Sequence, residues 1–119
     1  MIQRVLIVDD VADLRSLLRA RMELTDHLVV VGEAGDGIAA VEQATLLQPD
    51  LVLLDLAMPL MDGLQALPLI RAAVPDVRVI VLSGFNASTM AEDAKRAGAD
   101  HYFVKGGPLR DLIALTETL

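Results

Sequence analysis

The chain has 119 residues, of which 54% are hydrophobic and only 3% aromatic, so a single domain with a core of aliphatic side chains is expected. It contains no cysteine, which excludes a disulfide framework and a thiolate metal site. The formal net charge is −7, and because a negative surface repels phosphate backbones, direct binding to nucleic acid is not expected.

The first predicted element is a strand over Val5–Val8, which is followed directly by Asp9 and Asp10. Its apolar run is too short for the core of a secretory signal. No later stretch approaches the roughly 20 apolar residues that span a bilayer, so we expect a soluble protein of the cytoplasm and no membrane partner. A first helix is predicted by the apolar stripe Val11, Leu14, Leu18 and Met22.

Four further apolar runs predict four further strands, namely Leu28–Val31, Leu51–Leu54, Val77–Leu82 and Tyr102–Val104. All five runs are continuous rather than alternating, which is typical of parallel strands that are covered on both faces. Helical patterns separate them, over Ile38–Thr45, Leu64–Ile70, Ala87–Ala97 and Leu109–Thr116. This alternation predicts an α/β fold over residues 1–119, a doubly wound five-stranded parallel sheet with helices on both faces.

Four residues give local signals at helix ends or breaks. Asp36 is a predicted N-cap of the second helix, Gly98 a C-cap of the fourth, and Pro108 a first-turn residue of the last. Pro68 falls inside the third helical pattern, where it removes a backbone donor and clashes with the preceding turn. We therefore predict either a bend near Pro68 or a helix that restarts with Pro68 in its first turn.

Chemically active side chains follow four of the five predicted strands. Asp9 and Asp10 follow the first strand, Asp55 the third, Ser83 the fourth and Lys105 the fifth. In open α/β sheets, ligands bind beyond the carboxyl ends of the strands. We therefore expect these carboxylates, the hydroxyl and the ammonium to meet at one edge of the sheet.

A cluster of carboxylates predicts a cation site. Two carboxylates about 4 Å apart repel each other by roughly 4 kcal/mol at an effective dielectric constant of about 20, so three favour protonation or a bound cation. Because the ligands are oxygens, with no His or Cys nearby, the predicted cation is Mg²⁺ or a close relative. A carboxylate can form an aspartyl phosphate, so the pattern indicates phosphoryl transfer to Asp55, with Lys105 and Ser83 contacting phosphoryl oxygens.

Each of these residues also has an ordinary structural explanation. Taken alone, Asp9 and Asp10 are better explained as helix-capping residues, because Asp10 and Asp13 have the spacing of a capping box. The remaining site residues, taken alone, are explained as turn or surface residues, and Tyr102 as a partly buried strand aromatic. The functional interpretation depends on their conjunction at the carboxyl ends of the predicted strands.

Several short motifs occur in a fixed order across essentially the whole chain: Val8–Asp10, Leu53–Pro59, Met61–Gly63, Ser83–Gly84, Ala97–Asp100 and Tyr102–Lys105. In this order and spacing they resemble the response-regulator receiver domains of two-component signalling. The resemblance implies a flavodoxin-like sheet with strand order 2-1-3-4-5. The segment Val29–Ala34 is similar to receivers that precede a helix-turn-helix output domain.

The resemblance assigns a role to each site residue. It implies that Asp55 is the phosphoacceptor and that Lys105 contacts the phosphate. Asp10, Asp55 and the carbonyl of Ala57 would be direct Mg²⁺ ligands, and Asp9 a ligand through water. Ser83 and Tyr102 would be the switch pair. It also implies a regulatory protein that catalyses only its own phosphorylation and slow dephosphorylation.

The implied partners are a sensor histidine kinase and either an output domain or an effector protein, which would meet the surface formed by the fourth helix, the fifth strand and the last helix. A homodimer is a further possibility. One departure from the family pattern is that Gly106 and Gly107 follow Lys105, where many receivers have proline. The effect of this change on the loop is open at the level of sequence.

Two alternative functions are compatible with the same residues. One is a small Mg²⁺-dependent aspartyl-phosphate phosphohydrolase resembling the haloacid dehalogenases, in which a second Asp follows the nucleophile by two residues. Val11 and Ala12 occupy that position relative to Asp9 and Asp10. The other is a receiver-like interaction module that is never phosphorylated, although such modules usually lose one of the acidic residues.

Overall fold

The computed structural model of the chain describes residues 2–58, 60–84 and 88–118, without the side chains of residues 88–90. Within this part, strands and helices alternate. The strands are β1 (Gln3–Val8), β2 (Leu28–Ala34), β3 (Leu51–Asp55), β4 (Arg78–Ser83) and β5 (His101–Val104). The helices are α1 (Ala12–Glu23), α2 (Gly37–Leu47), α3 (Gly63–Ala73), α4 (Ser88–Arg96) and α5 (Leu109–Glu117). No helix in the described residues is long and apolar enough to cross a bilayer.

The strands form one parallel sheet in the order β2-β1-β3-β4-β5, which confirms the predicted fold. The register brings the carboxyl ends of the strands to one edge. Val8 pairs with both Ala34 and Leu54, Asp55 pairs with Leu82, and Ser83 pairs with Val104. The residues that follow these strands therefore start from a common edge of the sheet.

The sheet is covered by two separate apolar layers. Alternate residues of β1 point to opposite faces, so Leu6 and Val8 join one layer and Val5 and Ile7 the other. The first layer includes buried residues of α2, α3 and α4, namely Ala40, Ala44, Leu67, Ile70 and Ala94. The second includes buried residues of α1 and α5, namely Leu18, Met22, Leu112 and Ile113. Because both faces of the sheet are covered, the strands appear in the sequence as continuous apolar runs.

Two of the predicted caps, Asp36 and Gly98, are found at the expected positions. The Asp36 carboxylate accepts a hydrogen bond from the Ala39 N–H at 2.8 Å and caps α2. Gly98 has φ +111°, and the next N–H, of Ala99, donates to the Ala94 carbonyl at 2.9 Å, which is a Schellman C-cap for α4. Pro108 directly precedes α5 as its N-cap, so the prediction that it lies in the first turn is wrong by one residue. Ala87, the predicted first residue of the fourth helix, lies outside the described residues.

Helix α3 corrects one prediction. It runs without interruption from Gly63 to Ala73 with Pro68 inside it, so the alternative in which the helix restarts at Pro68 is wrong. The reason is a capping box further upstream. The Asp62 carboxylate accepts the Gln65 N–H at 2.8 Å, and the Gln65 side chain accepts the Asp62 N–H at 3.1 Å, so the helix begins earlier. A bend near Pro68 stays a prediction.

Candidate functional site

Asp55 is the last residue of β3, and its side chain is buried beneath the edge of the sheet. One carboxylate oxygen, Oδ1, accepts the Ala57 N–H at 3.2 Å. The chain can return close to Asp55 because α3 begins with a glycine. A Cβ on Gly63 would lie 2.2 Å from the Asp55 carbonyl oxygen, a distance that no side chain tolerates. The helix start therefore packs against the backbone of the proposed phosphoacceptor.

Asp9 and Asp10 follow β1 and differ in burial and in hydrogen bonding. The Asp9 side chain is fully buried, and its Oδ1 accepts the Val11 N–H at 2.9 Å. Asp10 is exposed. The N-cap of α1 is Val11, and no side chain caps the helix, so the capping-box interpretation of Asp10 and Asp13 is wrong. The helix begins one residue too late for Asp10 to occupy the cap.

The structure brings Asp9, Asp10 and Asp55 together, as the sequence predicted. One oxygen from each carboxylate lies within 4.8 Å of the others. Apart from a nearby lysine ammonium, Oδ2 of Asp9 and Oδ2 of Asp55 have no hydrogen-bond donor among the described residues, although both atoms are buried. Two buried carboxylate oxygens that share one ammonium, in a set of hard carboxylate ligands, fit a divalent cation such as Mg²⁺.

Lys105 supplies that ammonium. Its Nζ lies 2.8 Å from Oδ2 of Asp9 and 3.2 Å from Oδ2 of Asp55. Burial alone would lower the pKa of Lys105, but the two carboxylates reverse this and raise the pKa above its usual value. Three carboxylates against one ammonium leave two formal negative charges, which again fits a divalent cation.

The pKa of Asp55 is raised to about 6. The largest cause is burial, followed by repulsion from the Asp9 carboxylate, whereas Lys105 and the Ala57 N–H act in the opposite direction. Without a metal ion, Asp55 is therefore mostly ionised at neutral pH but becomes protonated in mild acid. The site holds its negative charge at a free-energy cost that a bound cation would relieve.

The loop after β5 places Lys105 through its backbone. The Lys105 N–H donates to the Ser83 carbonyl at 2.8 Å, and the Gly107 N–H donates to the Val104 carbonyl at 3.2 Å. Gly106 has φ +91°, a conformation that favours glycine. The two glycines that replace the usual proline thus form a turn that is hydrogen-bonded to the ends of β4 and β5.

Ser83 and Tyr102 lie on the same face of neighbouring strands. Tyr102 pairs with Val81, and Ser83 follows Val81 by two residues, so all three side chains point to the same side of the sheet. Ser83 is buried, whereas Tyr102 is half-buried and packs against the layer that contains Val81. Tyr102 also lines a cavity of about 280 Å³ with residues of α4 and the turn before β5.

One residue near the site, Arg15, was not predicted from the sequence. Its guanidinium donates from Nη1 to the backbone carbonyl of Asp9 at 2.6 Å, and its Nε pairs with Glu33 at 3.0 Å. Arg15 lies in the first turns of α1, where a cation opposes the helix dipole. That unfavourable placement is the signal that could have indicated a specific partner for this side chain.

Comparison with known proteins identifies the family. Residues 5–117 match the family model of the response regulator receiver domain. The chain is 43% identical over 115 residues to the transcriptional regulatory protein PdtaR of Mycobacterium tuberculosis, covering 97% of this chain but 55% of PdtaR. It thus spans about half the length of that relative.

Two solved structures show the same fold. The response regulator domain of Thermotoga maritima CheB is 34% identical, with a TM-score of 0.87, and the match covers 98% of this chain and 92% of that domain. In the CheX–CheY–BeF₃–Mg²⁺ complex of Borrelia burgdorferi, the matched chain is 28% identical with a TM-score of 0.86, covering 96% and 86% of the two chains. The chain therefore belongs to the response regulator receiver domain family.

Proposed function

We propose that Asp55 accepts a phosphoryl group from a phosphorylated histidine of a sensor kinase. The observation that carries this proposal is the position of the Asp55 carboxylate, which is buried, touches the Lys105 ammonium at 3.2 Å and lies in a cluster with Asp9 and Asp10. This arrangement combines a carboxylate nucleophile with a cation and a metal-ligand set, which are the parts that phosphoryl transfer needs.

The chemical step is a displacement at phosphorus. A bond forms between an Asp55 carboxylate oxygen and phosphorus, while the bond from phosphorus to the donor imidazole nitrogen breaks and that nitrogen keeps the electron pair. Lys105 would contact one phosphoryl oxygen through its ammonium, and the Ser83 hydroxyl a second. Both contacts stabilise the charge that spreads over the equatorial oxygens in the transition state.

The metal ion in this proposal is Mg²⁺, which Asp10, Asp55 and the backbone carbonyl of Ala57 would hold, while Asp9 would act through water. When bound, Mg²⁺ neutralises part of the negative charge of the carboxylates and of the phosphoryl oxygens. The residue set supports this choice because it offers only oxygen ligands and carries excess negative charge. The Borrelia CheY complex contains Mg²⁺, which supports the same choice.

Phosphorylation would bias two arrangements of the surface formed by α4, β5 and α5. The Ser83 hydroxyl would be drawn toward the phosphoryl group, and Tyr102, on the same face of the sheet, would change rotamer. The cavity of about 280 Å³ beside Tyr102 provides space for such a movement. The partner of this surface would be an output domain, as the transcriptional role named for PdtaR supports, or an effector protein.

Incubation with a small acyl phosphate and Mg²⁺, followed by intact mass spectrometry, tests the proposal. The wild-type chain should gain one phosphoryl group, whereas Asp55→Asn should gain none. A matched control is Asp62→Asn, because Asp62 is a nearby carboxylate outside the cluster and Asn is an equally good N-cap. This control should be phosphorylated like the wild type.

Other outcomes would favour the alternative functions. Release of many phosphates per chain would identify a phosphohydrolase rather than a switch. Absence of phosphorylation together with equal, negligible Mg²⁺ affinity in the wild type and Asp55→Asn would indicate an interaction module. Phosphorylation of Asp55→Asn would place the acceptor at another residue and overturn the assignment.

A further inference from the structure

We infer that Arg15 is a positioning residue for the metal-binding turn: its guanidinium fixes the peptide between Asp9 and Asp10 and thereby aims the Asp10 carboxylate into the cluster. The inference rests on the proposed function as far as the metal is concerned. It adds a residue that lies outside the carboxylate, hydroxyl and lysine set.

Every polar group of Asp9 has a defined partner. Its N–H donates to the Ala34 carbonyl at 3.0 Å, Oδ1 accepts the Val11 N–H at 2.9 Å, and Oδ2 lies 2.8 Å from Lys105 Nζ. The remaining group is the backbone carbonyl, which accepts the bond from Arg15 Nη1 at 2.6 Å. That carbonyl belongs to the peptide unit that joins Asp9 to Asp10, so Arg15 determines the plane of this peptide.

Asp10 depends on this peptide plane more than Asp9 does. Its side chain is exposed, and within the described residues it makes no hydrogen bond or ion pair. A carboxylate without side-chain partners takes its direction from its own backbone. Rotation of the Asp9–Asp10 peptide would therefore move the Asp10 oxygens away from Asp9 and Asp55 without breaking any contact of Asp10 itself.

Arg15 is itself held in place. Its Nε pairs with Glu33 at 3.0 Å, and the second oxygen of Glu33 pairs with Arg19 at 2.6 Å. The hydrogen bond from Arg19 is the largest cause that lowers the pKa of Glu33. The guanidinium also passes over Gly35, where a Cβ would lie 3.3 Å from Nη1. The side chain is thus fixed between β2 and the end of β1.

A role of Arg15 as a mere positive charge and a role in positioning the turn predict opposite effects of its substitution on Mg²⁺ affinity. If Arg15 acts only as a nearby positive charge, its removal should strengthen Mg²⁺ binding, because a cation beside an acidic cluster repels the metal. If Arg15 positions the turn, its removal should weaken Mg²⁺ binding. Substitution of a residue that orients metal ligands usually lowers the metal affinity by roughly tenfold or more. The sign of the change therefore separates the two roles.

Calorimetric titration of the unphosphorylated chain with Mg²⁺ tests the inference. We expect Arg15→Met to bind Mg²⁺ roughly tenfold more weakly than the wild type. Arg21→Met is the matched control, because it removes the same charge from α1, and among the described residues its guanidinium bonds to Thr25 and to neither Asp9 nor Glu33. Its affinity should stay near the wild-type value. Thermal unfolding without metal confirms that both variants are folded.

A second measurement does not depend on the metal. In the Mg²⁺-free protein, Arg15→Met should accelerate hydrogen exchange of the Val11 amide by roughly tenfold. The reason is that the turn from Asp9 to Val11 loses the hydrogen bond from Arg15 to the Asp9 carbonyl. Arg21→Met should leave this rate unchanged. Wild-type exchange in Arg15→Met, or unchanged or tighter Mg²⁺ binding, overturns the inference. If the wild type itself bound no Mg²⁺, the proposed function would fail, and the exchange rates would still decide the role of Arg15.

Discussion

The Lys105 ammonium bridges Asp9 and Asp55, at 2.8 Å from Oδ2 of the former and 3.2 Å from Oδ2 of the latter. Lysine thus lies closer to the carboxylate that is not the proposed acceptor. In the absence of a metal ion, this single cation is the counter-ion of two buried acids. The predictions for stability and for metal binding follow from this relationship.

Substitution Lys105→Met should destabilise the Mg²⁺-free protein at pH 7 by on the order of 2 kcal/mol. Removal of one partner of a buried ion pair leaves a buried charge without compensation, and the partial exposure of Lys105 reduces the cost below the usual range. Urea unfolding measures the change. Saturating Mg²⁺ should recover part of the loss, since a divalent ion replaces the missing positive charge.

The control for this variant is Lys95→Met, which removes an exposed lysine from α4. A surface substitution of this kind should change the free energy of unfolding by less than about 0.5 kcal/mol. Equal stability of Lys105→Met and Lys95→Met in Mg²⁺-free buffer would contradict the role of Lys105 as counter-ion.

The raised pKa of Asp55 predicts a pH-dependent effect of Asp55→Asn. The pKa is about 6 in the folded chain, above the value of about 3.9 expected in the unfolded chain. Between these values the folded state binds more protons, so this group lowers stability as the pH rises. In Mg²⁺-free buffer, Asp55→Asn should therefore gain stability relative to the wild type, by on the order of 2 kcal/mol between pH 4 and pH 7.

Denaturant unfolding at several pH values checks this difference, which should level off above pH 7. Asp62→Asn is the comparison, because Asp62 is a partly exposed capping residue outside the cluster. A difference between Asp55→Asn and the wild type that stayed constant with pH would show that Asp55 ionises as it does in an unfolded chain.

Mg²⁺ affinity should fall in mild acid. Binding requires the carboxylate form of Asp55, whose pKa is about 6, so metal and proton compete for the same group. Below this pKa, the apparent affinity should decrease by up to about tenfold for each pH unit. Calorimetry at pH 5.5 in two buffers with different ionisation enthalpies would detect the released proton. The same affinity at pH 5 and pH 7.5, with no proton release, would exclude Asp55 as a ligand.

Substitution of Leu60 by glycine is expected to increase the stability of the chain. The φ of Leu60 is +67°, which is a left-handed conformation, and because its side chain is 80% exposed, little apolar burial offsets the cost of that conformation. That conformation costs an L-residue about 1–2 kcal/mol, whereas glycine loses about 0.5–1 kcal/mol more backbone entropy on folding. Leu60→Gly should therefore stabilise the chain slightly, by about 0.5 kcal/mol, as measured by thermal or urea unfolding.

Leu46→Gly is the matched control for Leu60→Gly, because it makes the same substitution at an exposed leucine in a helix. Leu46 is 75% exposed in α2, where glycine should destabilise by about 1 kcal/mol. The two variants should thus change stability in opposite directions. A loss of stability in both would mean that contacts of the Leu60 side chain outweigh its backbone conformation.

The fold class and the main site residues could be predicted from hydrophobic patterns in the sequence, whereas the strand order came from the family resemblance. Continuous apolar runs mark strands covered on both faces, and in a parallel sheet the residues after such strands meet at one edge. This rule predicts that Asp55 and Lys105 lie at the same edge of the sheet, and their side chains are in contact there. It also predicts that Asp9 and Asp10 join the cluster, but it does not indicate which of them is buried.

Other features depend on contacts that no local pattern contains. Arg15 bonds to a backbone carbonyl, and carbonyls are the same at every position, so its place in α1 indicates that it has a partner but does not identify which carbonyl it contacts. The start of α3 depends on a capping box at Asp62 that competes with the expected effect of Pro68. The left-handed backbone of Leu60 arises from the route of the loop and opposes the preference of the residue.

The common edge at which β1, β3, β4 and β5 end makes the proposed site depend on the complete sheet. No fragment that lacks one of these strands contains the acceptor, its counter-ion and the other carboxylates together. A nascent or cleaved chain would present Asp55 as an ordinary aspartate. The proposed phosphotransfer would therefore require a chain in which all four strands are already in place.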